Sequence, residues 1–378
     1  MFLGQLNQNE VIGSIYNMII SQYVFGDNLA GVNSQLVDMF RVDGSQYGDQ
    51  KLYYAVDALE TDEWLNDASN NLLETHRPQA PEVQAIELDV FRQIALTVDN
   101  YMSKRAFTDE NTFSSFNSVL LGMIKNTKRA YDATTFNSYI GTTEAELNGQ
   151  AQTIRGGEAG ENFGLLVAEK LANLLVELTD ISTDYNDLYF NRSYNEKDLV
   201  VIWNSEVFNE VKYVDLPVIF HKEGLLGNFE QKVLPAKYFG TINTAQGTTS
   251  DLNVSIRAFV EKRYTLPGIG TGESHRATAK AYDPRAKMDK NGTWYVHCFP
   301  GQLLPKSTSY AANETYTTTD DVAFKILHKR SVPFMSGFEV GTEFVNTRAL
   351  NENHYLTFAH NTIEYLHNYP FITCKIVD

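Results

Sequence analysis

The chain has 378 residues, 43% of them hydrophobic, and its 47 acidic against 31 basic side chains give a formal net charge of -16 at pH 7. Affinity for nucleic acid comes from clustered Lys and Arg, so this balance argues against a dedicated DNA-binding protein. The length favours two domains, or one domain with large excursions. No apolar run approaches the roughly 20 residues that span a bilayer. We therefore expect a soluble, unexported protein with no membrane partner.

The first 40 residues are predicted to form an arm. They begin with a short apolar-periodic stretch, 11–24, and continue through Gly-rich and Asn-rich sequence, 26–33. These pieces are too small to bury a core of their own, so we expect neighbouring chains to order them.

An exposed β-hairpin is predicted within residues 41–82. The run 51–57 is rich in β-prone residues and lies between the turn former Gly48 and an acidic stretch. Its aromatic residues lie in polar surroundings, as interface residues often do. We therefore predict subunit contacts at Tyr53, Tyr54 and Trp64.

Two long amphipathic helices are predicted within residues 83–198. In the first, which begins near Thr112, residues on one face of a 3.6-residue period form the predicted core: Phe113, Phe116, Leu120, Ile124 and Tyr131. Gly141 weakens the far end of this helix. The second helix carries an apolar stripe over 163–178. Between the helices, residues 149–160 are predicted to be a flexible linker, because they include Gly156-Gly157.

The remainder of the chain is predicted to be an α+β region with an insertion. Residues 199–203 are a continuous apolar run that predicts a buried strand, and short apolar elements continue to residue 240. A strand pattern returns over 322–345, and β-prone, aromatic sequence closes the chain over 346–378.

The insertion, residues 241–321, is too long for an ordinary connection and is predicted to be rich in β-structure or loops. Basic side chains cluster in it, although the chain as a whole is acidic. They predict a contact with an acidic segment of a neighbouring chain through Lys280, Arg285 and Lys287. The alternative is a solvated loop whose charges only aid solubility.

No catalytic, cofactor-binding or metal-binding motif stands out in the sequence. The glycine-rich stretch 268–272 lacks the Lys-Ser/Thr of a phosphate-binding loop and is predicted to be a surface turn. His297, Cys298, His367 and Cys374 have no metal-ligand spacing, and the two cysteines are too few for a disulfide framework. Three histidines suggest a pH-sensitive interface more than catalysis: His354, His360 and His367. We predict no cofactor and no enzyme activity.

The order of elements resembles the major capsid proteins of tailed double-stranded DNA bacteriophages, and most closely those of small podoviruses with protein-primed genomes. Three stretches carry the likeness: 91–139, with the entry 111–120, is similar to the family's approach and spine helix; 194–206, 214–220 and 228–239 are similar to the strand, short helix and strand of its axial domain; and 348–377 is similar to its closing strands. Together they cover rather more than half the chain.

The resemblance implies the fold of these capsid proteins and a domain division. It gives an N-terminal arm (1–40), an extended hairpin loop (41–82), a peripheral domain with a spine helix (83–198), an axial domain (199–240 and 322–345) and closing strands (346–378). The insertion is the departure from the simplest relatives.

The implied function is structural. Pentamers and hexamers of the chain would form an icosahedral virion shell around packaged DNA, held without sequence specificity. Scaffolding and portal proteins are expected partners, and assembly is expected in the host bacterial cytoplasm.

Two other interpretations remain open at the level of the residues. The Thr-rich, Gly-rich and Tyr-rich insertion is compatible with a β-rich receptor-binding or other accessory virion protein, although such spikes seldom carry a helical block like residues 112–180. The size of the chain is compatible with a soluble enzyme, which the missing motifs disfavour.

Overall fold

The computed structural model describes residues 34–43, 50–59, 61, 75, 77–98, 110–142, 151–155, 163–211, 229–244, 262–266, 268–282, 286–298, 314–318, 321–348 and 351–377. The chain divides into two compact units. Unit 1 consists of Met1–Asp49, Glu87–Asn137 and Phe334–Thr362, and unit 2 of Gln50–Ile86, Ser138–Pro333 and Ile363–Asp378.

The described residues form helices and sheets of mixed strand direction, as the α+β prediction requires. The helices are α1 (Ser34–Met39), α2 (Glu110–Thr142), α3 (Phe163–Thr179), α4 (Ser205–Glu210) and α5 (Arg276–Tyr282). The first strands are β1 (Arg41–Asp43), β2 (Gln50–Ala55), β3 (Glu82–Val98), β4 (Ala151–Arg155), β5 (Leu199–Asn204), β6 (Glu230–Leu234), β7 (Gly240–Thr244) and β8 (Lys262–Thr265). The remaining strands are β9 (Lys287–Met288), β10 (Trp294–Cys298), β11 (Glu314–Thr318), β12 (Val322–His328), β13 (Phe334–Asn346), β14 (Asn351–Asn361) and β15 (Phe371–Val377).

Unit 1 is built on long antiparallel strands. β14 pairs with β13 on one side and with residues 88–98 of β3 on the other, while β1 adds a parallel edge to β13. Aromatic rings of α2 pack on this sheet: the Phe136 ring lies 5.2 Å from that of Phe40 and 6.0 Å from that of Phe334. Each buried aromatic side chain removes a large apolar area from water, which holds the helix on the strands.

The predicted core of α2 falls partly within the described side chains. Ile124 and Tyr131 are buried, and the Tyr131 hydroxyl lies 3.0 Å from Nε2 of His360. The side chains of Phe113, Phe116 and Leu120 lie outside the described residues. Their place in the core therefore stays a prediction.

Unit 2 contains a second five-stranded sheet, in the order β4-β15-β12-β5-β6. All residues of β5 and β12 are buried, so these two neighbouring strands form the centre of the core. The apolar stripe of α3 belongs to the same cluster, through Val167, Leu171 and Leu174. Burying each such aliphatic side chain contributes roughly 1.5–3 kcal/mol.

Two features of unit 2 differ from the sequence-based expectations. The predicted linker 149–160 is wrong over Ala151–Arg155, because these residues form β4 and pair in parallel with β15. The segment predicted as closing strands is divided: β14 lies in unit 1, whereas β15 lies in unit 2 beside β12. Both differences arise from pairing between residues distant in sequence, which a local pattern does not record.

The insertion has a small core of its own. β8, β10 and β9 form a three-stranded sheet, and α5 adds the buried Ala279 to a cluster with Leu266 and Trp294. The glycine-rich stretch is a turn on this core. Gly272 has a φ of 94°, which favours glycine, and its carbonyl accepts a hydrogen bond of 3.0 Å from the Trp294 indole.

Gly141 allows the last turn of α2 to approach another backbone segment. A Cβ atom on Gly141 would lie 1.9 Å from the carbonyl oxygen of Tyr238, which ends the 3-10 turn Ala236–Tyr238. The helix continues to Thr142, so Gly141 is required for close packing and does not terminate the helix.

We predict that Gly141→Ala destabilises the subunit by about 1–3 kcal/mol, because the backbone of Tyr238 must move. Gly122→Ala is the matched control in the same helix, since nothing lies within 4 Å of the Cβ atom it adds. That control should be neutral or stabilising by roughly 0.5–1 kcal/mol. Chemical unfolding of free subunits measures both changes, and equal effects of the two substitutions would contradict the close-packing role.

Candidate assembly surface

The exposed side of β2 is apolar from Leu52 onward, and Val56 continues it directly after the strand. Leu52, Tyr54 and Val56 are 48%, 64% and 58% exposed, whereas Ala55 is buried and Tyr53 is partly buried. Residues at intervals of two point to the same side of a strand, so the three exposed side chains form one row. Exposed apolar side chains in one row make this side of β2 a candidate interaction surface. Trp64, the third predicted aromatic contact, lies outside the described residues.

The chain that follows β2 is anchored by Asp57. One carboxylate oxygen of Asp57 accepts hydrogen bonds from the backbone amides of Asn191, at 2.8 Å, and Ala58, at 2.7 Å. The hydrogen bond from the Asn191 amide is the main cause that lowers the pKa of Asp57. The ionised carboxylate is therefore the form that holds this segment.

Arg192 provides a second tie beside Asp57. Its guanidinium donates hydrogen bonds to the carbonyl oxygen of Val56, at 2.6 Å, and to the side-chain oxygen of Asn368, at 2.8 Å. Arg192 thus joins the end of the apolar row to the loop that precedes β15. Charge-assisted hydrogen bonds with several partners restrict the geometry more than one flexible ion pair does.

An aromatic group lies next to this tie. The rings of His328 and Tyr369 are stacked with centroids 4.6 Å apart, and the Tyr194 hydroxyl donates to the carbonyl of Asn368 at 3.0 Å. Burial lowers the pKa of His328 to about 4 and raises the pKa of Tyr194. Burial also raises the pKa of Tyr53, with a smaller contribution from Tyr369. His328, Tyr194 and Tyr53 are therefore neutral at pH 7.

His367 makes a further tie within unit 2. Its Nδ1 lies 2.8 Å from a carboxylate oxygen of Asp187, and its backbone amide donates to the side-chain oxygen of Gln84 at 3.1 Å. The hydrogen bond with Asp187 is the main cause that raises the pKa of His367. The start of β3 is thereby connected to the loop before β15.

The predicted basic contacts in the insertion lie at the surface where they are described. Lys280 lies in the last turn of α5 and Lys287 begins β9, and both are exposed, as are Arg276 and Lys290. Arg285 lies outside the described residues. The structure therefore brings exposed basic side chains onto the small core of the insertion.

Sequence reasoning missed the residues that tie the segment after β2 to the rest of unit 2, Asp57 and Arg192, and the neighbouring residues Asp187, His328, Asn368 and Tyr369. Asp57 and Asn191 are separated by 134 positions, and Arg192 and Asn368 by 176. No local spacing signals such pairs. None of the described helices is long and apolar enough to cross a membrane.

Comparison with known proteins identifies related folds. The family model of the Phi29-like phage major capsid protein matches residues 4–374. The fold is similar to a chain in the capsid structure of Staphylococcus phage Andhra, with a TM-score of 0.59 and 9% identity over 89% of this chain and 82% of that chain. It is also similar to a chain in the structure of the head fiber and inner core protein gp22 of native bacteriophage P68. That match has a TM-score of 0.54 and 12% identity over 88% of this chain and 82% of that chain. No curated protein matches the sequence significantly.

We predict that His328 makes the subunit sensitive to acid. Its pKa is near 6.5 in the unfolded chain and about 4 in the folded one, so the unfolded state binds the proton first as the pH falls. Stability is therefore lost between pH 6.5 and 4, by on the order of 2–3 kcal/mol from this group. His328→Asn should reduce the loss, because Asn binds no proton in this range. Asn can also accept the hydrogen bond that Nδ1 of His328 accepts from the Arg330 amide at 3.1 Å, so the local structure is kept.

Urea unfolding of free subunits at pH 7 and pH 4.5 measures this effect. His367→Gln is the control with the opposite sign, because a raised histidine pKa stabilises below pH 6.5 and that stability is lost as the pH rises through the folded value. An acid sensitivity of His328→Asn equal to that of the unmodified chain would contradict the assignment.

Proposed function

The chain belongs to the Phi29-like phage major capsid protein family, and we propose that its copies form the pentamers and hexamers of an icosahedral shell enclosing double-stranded DNA. The protein is a structural head protein of the virion that self-assembles into the capsid. Self-assembly requires surfaces that are exposed in a single subunit and become buried against a neighbouring copy. The observation that carries the proposal is the exposed apolar row on β2.

We propose that this row docks on a second copy of the chain. Leu52, Tyr54 and Val56 lie in order along one side of the strand, so a neighbouring surface can bury all three together. The ties through Asp57 and Arg192 hold the row before contact, which lowers the ordering cost of association. Tyrosine is well suited to such an interface because it combines a large apolar ring with a hydroxyl.

We propose domain roles that the elements support. Residues 1–40 are an arm, the β2 segment belongs to an extended hairpin loop over 41–82, and residues 83–198, with α2 as the spine helix, are a peripheral domain. Phe113, Phe116 and Leu120 continue its core along α2. Residues 199–240 and 322–345 are the axial domain, which carries the insertion 241–321, and residues 346–378 are closing strands.

The remaining partners follow from the chemistry of a container. A net charge of -16 per subunit favours a shell that holds DNA without strong or sequence-specific adhesion. We propose scaffolding and portal proteins as assembly partners, and assembly in the host bacterial cytoplasm. Size-exclusion chromatography with negative-stain microscopy tests the function: shells or capsomer-sized rings support it, and a stable trimer that binds carbohydrate would contradict it.

We predict that Tyr54→Glu lowers shell yield by on the order of tenfold or more, because it places a charge in the apolar contact. The melting temperature of the free subunit should not change, since Tyr54 is 64% exposed. Tyr54→Phe is the matched control and should assemble normally. Microscopy and sedimentation measure yield. Normal assembly of Tyr54→Glu would exclude this surface from the interface.

A separate prediction concerns the basic side chains of the insertion. We propose that Lys280 and Lys287, with Arg285, contact an acidic segment of an adjacent subunit. Lys280→Glu with Lys287→Glu should make shells dissociate at milder denaturant, and added salt should now stabilise the shells, because it screens the repulsion that the reversed charges create. Lys280→Gln with Lys287→Gln is the control that removes charge without reversing it, and its effect should be intermediate. Unchanged stability and salt response in both variants would leave the insertion's charges as solubilising groups.

A further inference from the structure

Three potential metal ligands meet near the end of the β13–β14 hairpin in unit 1. Glu343 on β13 stands directly opposite His354 on β14, and Glu352 lies two residues from His354 along the same strand. Residues two apart on a strand point to the same side, and directly opposed residues also share a side. Strand register therefore brings two carboxylates and one imidazole together.

The distances between these groups differ from those of a hydrogen-bonded cluster. One ligand atom from each residue lies within 4.8 Å of the others, and Nε2 of His354 lies 3.8 Å from a Glu352 carboxylate oxygen. That separation is too long for a hydrogen bond. The surface pair of His367 and Asp187 in unit 2, at 2.8 Å, shows the spacing that direct bonding gives. The three groups at the hairpin end converge without bonding to one another.

The spacing suits a small ion between the groups. Zinc lies about 2.0–2.2 Å from nitrogen and oxygen ligands, so two tetrahedral ligands stand roughly 3.3 Å apart. The observed 3.8 Å between His354 and Glu352 is close to this value. Rotation about the side-chain bonds of the two glutamates can bring their carboxylate oxygens the remaining distance toward the ion. Glu343 is exposed and the other two residues are partly buried, so an ion can enter from solvent.

Charge also favours a cation at this position. Two neighbouring carboxylates repel each other, and the chain already carries a net charge of -16. A divalent ion converts that repulsion into attraction. The imidazole selects against magnesium and calcium, which prefer oxygen ligands alone, and favours ions of the zinc type.

We propose that Glu343, Glu352 and His354 bind a divalent transition-metal ion, with Zn²⁺ as the preferred ion. Three protein ligands leave the remaining coordination position to water. The ion would join β13 to β14 where the hairpin carries the exposed side chains of Phe344 and Val345. Its effect is to fix the end of a long hairpin that strand hydrogen bonds alone leave free to fray.

Isothermal titration of the purified full-length subunit with Zn²⁺, after removal of bound metal by a chelator, tests the proposal. His354→Gln and the double variant Glu343→Gln with Glu352→Gln should each weaken the affinity of this site by at least on the order of tenfold, because each removes coordinating atoms. His367→Gln is the matched control: it removes a surface histidine paired with one carboxylate and should leave the affinity unchanged. Ca²⁺ should bind much more weakly than Zn²⁺.

Hydrogen exchange locates the site independently of total zinc binding. Zn²⁺ should slow amide exchange over residues 341–356 in the unmodified chain and in His367→Gln, but not in His354→Gln. Zinc affinity that is the same in all variants, or exchange that Zn²⁺ does not slow in this segment, would overturn the proposal. The ligand positions are partly exposed, so melting temperatures measured without metal should show that the variants are folded.

Discussion

The complete burial of two neighbouring strands, β5 and β12, constrains the arrangement of unit 2, since a strand buried along its whole length needs cover on both sides and partners at both edges. α3 supplies apolar cover through its leucine stripe, and β6 and β15 supply the edge partners. Lys325 lies in the middle of β12 with no exposed surface, and its amine lies 5.5 Å from the centroid of the Phe371 ring. A buried ammonium requires such compensation, because leaving it without favourable neighbours is costly.

This core also explains how a long insertion can be accommodated. β7 and β11 pair with each other in antiparallel register from Gly240 opposite Thr318 to Thr244 opposite Glu314. The chain therefore leaves and returns at adjacent positions, and the segment between them can form its own core around Trp294. The entropic cost of closing a loop grows only slowly with loop length. The paired strands β7 and β11 can therefore carry a long segment between them at little extra cost.

The sequence predicts those parts of the fold in which neighbours along the chain determine the structure. Periodicity predicts the buried stripe from Val167 to Leu178, and composition predicts the buried run of β5. β4 was missed because its partner, β15, lies more than two hundred positions away and its flanking glycines indicate a loop. A glycine near a helix end predicts a weakened helix, whereas Gly141 allows a close contact with the backbone of Tyr238. The ties of Asp57 and Arg192 leave no local pattern, because polar residues in loops are common.

The acidity of the chain limits which contacts can hold many copies together. Each subunit carries a net charge of -16, so copies repel one another once they come within about a Debye length, roughly 8 Å at physiological salt, whereas salt screens most of the repulsion at longer range. Contacts that oppose this repulsion must therefore act at short range. Apolar burial meets that requirement, because its free energy depends on the area removed from water and hardly on ionic strength. The apolar row of β2 is held by ties to Asn191 and Arg192 within its own subunit. Asp57 and Arg192 thus use their hydrogen bonds inside one chain, and the exposed apolar side chains beside them are the ones for which we propose a contact with another copy.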